Sequence, residues 1–131
     1  AGVGTGGTVT GVGNKLKEKM KEIKVIAVEP IKSPVLSGGR AGAHNIQGLG
    51  SGFIPEIYNP ECIDEIIKVS DEDAFKMTKE FAEKEGILLG ISSGAAIFVA
   101  LQEAKRLGKG KKVLVIAPDG GEKYISMGIY D

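Results

Sequence analysis

The first eight residues, Ala1-Gly2-Val3-Gly4-Thr5-Gly6-Gly7-Thr8, hold four glycines and run directly into a helical pattern. Few features restrict a fold as strongly. Glycine permits close backbone approach and positive φ, and a helix N-terminus offers unpaired N–H groups at the positive end of its dipole. Together they make a device for holding phosphate. Loops of this kind normally hang from the end of a strand in an α/β sheet. No strand is legible before the loop and no Met opens the sequence, so the expectation is a piece of a larger protein.

The rest of the chain supplies the alternation that an α/β fold needs. Thr8 or Thr10 is placed to cap a helix running to about Lys21, and Lys24–Val28 reads as a short buried strand stopped at Glu29-Pro30. Ile31 to Pro60 has no clear period and many Gly and Pro, and loops of that length are usually functional, disordered or partly structured. Ile63–Val69 reads as a strand. Ser70 is then a natural N-cap, with Asp71, Glu72 and Asp73 suiting the dipole, Ala74, Met77, Phe81 and Ala82 on one face, and Gly86 as the stop. Ile87–Leu89 reads as a short strand, and Gly90–Gly94 as a small-residue turn before a helix from about Ala95 to Leu107. Val113–Ala117 is a fully buried strand by pattern, followed by the turn Pro118–Gly121. Helices alternating with short apolar strands argue an α/β fold with a largely parallel sheet flanked by helices. The two small-residue turns, near Gly4 and near Ser92, both precede helices and can therefore share one site at the strand ends.

Composition removes several functions. Net charge is zero, which gives no reason to expect nucleic acid or an acidic membrane surface as partner. No apolar run approaches the ~18 residues of a membrane span. Cys62 is the only cysteine, so no intrachain disulfide or CxxC metal site exists, which fits a reducing compartment. An ordinary thiol is the expected role for it. The lysines of Lys15–Lys24 and Lys105–Lys112 read as solvated faces and helix-end charges.

The opening loop satisfies G-x-G-x-x-G through Gly2, Gly4 and Gly7, and Glu29 stands 22 residues after Gly7, placed for a ribose hydroxyl. A nicotinamide or flavin nucleotide, a ligand-free structural turn and another phosphate ligand all remain open on that pattern. It is not a Walker A sequence, because no Gly-Lys-Ser/Thr follows. Gly6 and the flanking Thr5 and Thr8 suit a compact phosphate monoester, around which hydroxyls and amides can close. His44, the only histidine, reads as a general base or, more simply, as a hydrogen-bonding loop residue. Tyr124 packs near the ligand end of the sheet or only fills core.

Ordered motifs narrow the choice. Gly4–Thr8, Ser37-Gly38-Gly39, His44–Pro55, Gly90–Ala96 and Pro118–Tyr124 together resemble the cysteine synthase (O-acetylserine sulfhydrylase) family of fold-type II pyridoxal-phosphate enzymes. The similarity runs from Ala1 to the tail and matches the C-terminal part of such an enzyme, somewhat under half of it. It implies that residues 1–131 are most of the larger, cofactor-binding domain, with the N-terminal half of the parent absent. It implies pyridoxal 5′-phosphate as cofactor, with Gly4, Thr5, Gly6, Gly7 and Thr8 at its phosphate and Ser92 at the pyridine nitrogen. A neutral hydroxyl there gives a weaker electron sink than a carboxylate would, which suffices when acetate leaves the β-carbon. Gly48 is implied as a contact on the substrate side of the cleft.

The implied reaction of the parent is β-replacement, in which O-acetyl-L-serine loses acetate and sulfide adds to give L-cysteine. A cytoplasmic homodimer is implied, with the C-terminal peptide of serine acetyltransferase as a partner of the intact parent. That peptide needs both halves of the cleft, so this chain alone is not expected to bind it. The family's Schiff-base lysine lies in a Ser-x-Lys-Asp-Arg-like stretch, and no such stretch occurs here. That lysine is also the base at the α-carbon, so the chain is expected to be inactive alone. A sister enzyme such as cystathionine β-synthase is the near alternative, and a Rossmann-type NAD module using Gly2, Gly4, Gly7 and Glu29 the distant one.

Overall fold

The computed structural model describes residues 1–131. Its sheet is built on β1 (Ile26–Pro30) and β2 (Glu65–Val69), paired in parallel with Ile26 opposite Glu65 and Pro30 opposite Val69. Ala1–Val3 runs along the other edge of β1. Gly2 bridges to Val28 in parallel, Val3 N donates to Val28 O, and Val28 N donates to Ala1 O, both at 3.0 Å. The glycine loop therefore does hang from an extended segment, against the expectation of none. Three residues of extended chain are too few to show a period, so only the pairing reveals them.

Alternation along β1 sends neighbouring side chains to opposite faces. Val28 packs with Val69 beneath Ile91, Ala95 and Val99 of α3 (Ile91–Leu107) and Ala74 of α2 (Asp71–Glu85). Ala27 faces the other way, onto Val3, Tyr58 and Val9 of α1 (Gly7–Lys19). Helices thus cover both faces of a parallel sheet, the α/β arrangement expected.

Helix α2 forms where its local signals place it. Ser70 Oγ accepts from Asp73 N at 3.0 Å, three acidic residues occupy the first turn, and Gly86 closes the helix at φ 69°. A cap of that kind contributes about 1 kcal/mol. Helices α2 and α3 approach closely because Gly94 carries no side chain. A Cβ there would stand 2.0 Å from Thr78 Oγ1 and 2.7 Å from the Ala74 carbonyl.

Several expectations need correction. Helix α1 starts at Gly7, one turn position ahead of a Thr10 cap, and Gly6 rather than a threonine stands at its N-cap without a side-chain bond. Thr10 is buried, and its hydroxyl accepts from Asn59 N at 3.0 Å, a tertiary contact that local sequence cannot announce. Helix α3 begins at Ile91, so Ser92 and Ser93 lie in its first turn rather than in a preceding loop. Strand β1 continues through Glu29 and Pro30 before the chain turns. Ile87–Leu89 forms no strand beyond an antiparallel bridge between Leu89 and Gly120. Val113–Ala117 is not a buried strand: no ladder pairs it, and Leu114 is 72% exposed. A strand without a hydrogen-bonded neighbour has no ladder to hold it, whatever its apolar pattern. The long Ile31–Pro60 segment is partly structured, with 3₁₀ turns at Val35–Ser37 and Pro60–Cys62.

Candidate functional site

The site begins at the end of the Ala1–Val3 segment. Gly6 adopts φ 86°, a left-handed conformation open to glycine, and its added Cβ would press on the Tyr58 backbone at 3.1 Å. The first backbone bond of α1 runs from Thr10 N to Gly6 O at 3.2 Å. The N–H groups ahead of it have no helical acceptor, and Gly7 N reaches only Thr5 Oγ1 at 3.5 Å. No acidic residue occupies the first turn of α1, and Thr5 and Thr8 are exposed. The loop therefore offers donors and a positive dipole end that nothing in the chain neutralises.

A second turn closes onto this loop. Gly50 N donates to Val3 O at 3.1 Å, and a Cβ on Gly4 would stand 2.3 Å from the Gly48 carbonyl oxygen. His44 braces the turn from within: Nδ1 accepts from Ile46 N at 3.2 Å, which leaves Nε2–H to donate to Gly50 O at 3.1 Å. The histidine is a loop brace, the simpler of its two readings.

The third wall is the first turn of α3. Ser92 is 6% exposed, and its Oγ lies 3.8 Å from where a Cβ on Gly48 would stand. These segments enclose a cleft of about 370 Å³ lined by Gly4, Thr5, Gly6, Thr8, Gly48 and Ser92. Gly7 belongs to the loop but lies behind it, as the first helical residue, outside the lining.

Sequence reasoning missed two residues of a further wall, Asp119 and Lys123. Asp119 lines the cleft and accepts from Tyr124 Oη at 2.7 Å. Tyr124 lines the cleft as well and joins the apolar core, so both of its readings hold. Burial, with Asp119 adding to it, pushes its phenol up to about 12. Lys123 completes this wall as an exposed cation 3.9 Å from Asp119 Oδ2. The signals for this wall were the Pro118–Gly121 turn, the Pro118–Tyr124 motif and the reading of Tyr124 near the ligand end of the sheet.

Glu29 does not serve the nucleotide reading. It is 1% exposed, and its oxygens accept from Leu36 N and Ser37 N, both at 2.9 Å, and from Ser37 Oγ. Its carboxylate organises the turn after β1 and is not free for a ribose. Cys62 is buried and donates to Asn59 O at 3.2 Å, an ordinary thiol's place.

Residues 1–119 match the model of the pyridoxal-phosphate dependent enzyme family. The chain belongs to that family. Within the family it is 55% identical over 130 residues to the cysteine synthase of Staphylococcus aureus strain Mu50, covering 99% of this chain and 42% of that protein. The crystal structure of the Entamoeba histolytica cysteine synthase superposes with a TM-score of 0.95 at 52% identity, over 98% of this chain and 38% of that one. The O-acetylserine dependent cystathionine β-synthase of Helicobacter pylori superposes at 0.92 with 46% identity, over 99% of this chain and 42% of that one. The chain thus spans about two-fifths of the length of these relatives. No helix is long and apolar enough to cross a membrane. The cleft fits the family's cofactor in chemical terms: a glycine cradle with free donors suits a phosphate, and a largely buried hydroxyl facing the same space suits a ring nitrogen.

Proposed function

We propose that this chain is the cofactor-binding portion of a cysteine synthase. One observation carries the reading: three segments distant in sequence, Gly4–Thr8, the Gly48 turn and Ser92, converge on a single cleft. Gly4, Thr5, Gly6, Gly7 and Thr8 hold the phosphate of pyridoxal 5′-phosphate through N–H donors that have no helical acceptor, Gly7 N making only the long contact to Thr5 Oγ1. Ser92 partners the pyridine nitrogen, and Gly48 lies on the substrate side, where the lack of a side chain keeps the cleft open. Bound, the cofactor supplies an electron sink for bond changes at the substrate's α- and β-carbons. This chain's share of the work is to anchor and orient that group, with Leu49 and Tyr124 as apolar walls that limit water.

The reaction of the longer enzyme is replacement of the acetoxy group of O-acetyl-L-serine by sulfide, giving L-cysteine and acetate. The Schiff-base lysine belongs to the part of the enzyme outside residues 1–131, so the chain alone is inactive. A cytoplasmic setting, supported by the lone reduced thiol of Cys62, and a homodimeric parent belong to the same reading. Binding of a serine acetyltransferase C-terminal peptide would require the whole cleft.

Thermal unfolding with pyridoxal 5′-phosphate, inorganic phosphate and NAD tests the cofactor assignment. Ligand at a hundred times its Kd stabilises by about 2.7 kcal/mol. The phosphate compounds should raise Tm and NAD should not; stabilisation by NAD alone overturns the reading. A second acceptor has one observation in its favour, the likeness to an O-acetylserine dependent cystathionine β-synthase. Steady-state rates of the full-length enzyme with sulfide and with homocysteine separate the two, and a homocysteine preference would select the latter.

A further inference from the structure

We propose that Asp119 is a positioning residue that caps helix α3 from across the cleft and thereby sets the Ser92 hydroxyl. The inference rests on the assignment of Ser92 to the ring nitrogen. Helix α3 has no cap of its own: Gly90 stands at its N-cap with no side-chain bond, and its first turn holds no acidic residue. Its positive end is nevertheless not bare. The Asp119 carboxylate lies directly over it, so closely that a Cβ on Gly90 would meet Asp119 Oδ1 at 1.9 Å. The main chain joins in, with Gly90 N donating to Asp119 O at 3.1 Å. Ser93 Oγ, the hydroxyl next to Ser92, faces Asp119 O and Oδ1 at 3.4 and 3.5 Å. Tyr124 Oη holds the other carboxylate oxygen at 2.7 Å.

These contacts fix a direction. Tyr124 is anchored in the core cluster that includes Ile91 and Ala95, so the carboxylate is tied to the body of the helix as well as to its end. A carboxylate at a helix N-terminus is attracted by the dipole, and Asp119 acts on α3 in that way and through Ser93 Oγ. Ser93's hydroxyl is spent on Asp119, whereas Ser92, one residue earlier and about 100° around the helix, faces the cleft. Asp119 thus decides the rotation of the first turn and which serine faces the ligand.

Two measurements test this, using Asp119→Ala, Tyr124→Phe and Ser92→Ala in the same chain. The first is amide hydrogen exchange without ligand. Loss of the carboxylate at the dipole should loosen the first turn and speed exchange at Gly94, whose N–H makes the first bond of α3 to Gly90 O, about fivefold in Asp119→Ala, and less in Tyr124→Phe, with Ser92→Ala unchanged. Exchange within about twofold of the parent chain in both Asp119→Ala and Tyr124→Phe overturns the proposal. The second is the ratio of affinities for pyridoxal 5′-phosphate and its 1-deaza analogue, which lacks the ring nitrogen. A purely structural role would weaken both ligands alike; positioning predicts that Asp119→Ala collapses the ratio toward that of Ser92→Ala while inorganic phosphate binding persists. A parental ratio in Asp119→Ala overturns the proposal. A parental ratio in Ser92→Ala, or no binding of either compound by the parent chain, overturns the ligand assignment instead, and the exchange data still decide the capping role.

Discussion

The carbonyl oxygen of Gly48 stands 2.3 Å from the point a Cβ on Gly4 would occupy, so the two glycine turns meet backbone to backbone. A side chain on Gly4 would have to move the Gly48 turn, whereas Gly48 has room for a Cβ and is held to glycine by its φ of 92°. Gly4→Ala should destabilise the chain by about 1–3 kcal/mol, as overpacking does, and should abolish phosphate binding. Gly11→Ala is the matched control, since nothing lies within 4 Å of its added Cβ and it sits inside α1. It should stabilise by about 0.5–1 kcal/mol. Urea unfolding of both variants, with phosphate titration, checks the pair.

Tyr124 should resist ionisation. Burial and Asp119 push its phenol up to about 12, so it stays protonated where an unfolded tyrosine, near 10, already loses its proton. The folded value is the higher one. The stabilisation is therefore complete below about pH 10 and is lost as pH rises through about 12. Burial also raises the phenols of Tyr58 and Tyr130, so spectrophotometric titration should show all three tyrosines ionising late, with the step at about 12 removed in Tyr124→Phe, and stability should fall across that window in the parent chain.

Glu29→Gln should cost about 1–3 kcal/mol, because an amide keeps only one acceptor oxygen and its NH₂ would face either Leu36 N or the Ser37 donors. Chemical denaturation measures the loss. A variant as stable as the parent would mean that the carboxylate is not the organiser of this turn.

Borohydride reduction in the presence of pyridoxal phosphate should leave no single stoichiometric lysine adduct on residues 1–131. Peptide mass mapping checks this, and one uniquely labelled lysine would refute the assignment of the Schiff base to another part of the enzyme.

What could be read from the sequence follows how far each interaction reaches. Ser70, its acidic turn and Gly86 act within one helix, so α2 was legible nearly to the residue. The Gly4–Thr8 loop was legible as a phosphate-type turn and Ser92 was singled out only through the family resemblance; the fold brings Gly4, Thr5, Gly6, Thr8 and Ser92 to one cleft. The capping of α3 was not, since Asp119 lies 26 residues from Ser93 and nothing local marks the contact. Val113–Ala117 misled for a related reason: burial needs a surface to lie against, and an apolar run records only the readiness for one. Glu29 misled differently, since spacing fitted a ribose while the fold used both its oxygens at home.

The same unpaired run shapes how the chain behaves in concentrated solution. Val113–Ala117 is a stretch of five apolar, uncharged residues with free backbone edges, the signature of a segment that recruits copies of itself into intermolecular sheets. Lys111 and Lys112 stand immediately before it and Pro118 immediately after. Charge on one flank and a ring without an N–H donor on the other are gatekeepers of the kind that limit such stacking. Residues 111–118 thus hold a sheet-prone run together with its brakes, and neutralising the two lysines should lower the concentration at which the chain precipitates, as turbidity would measure.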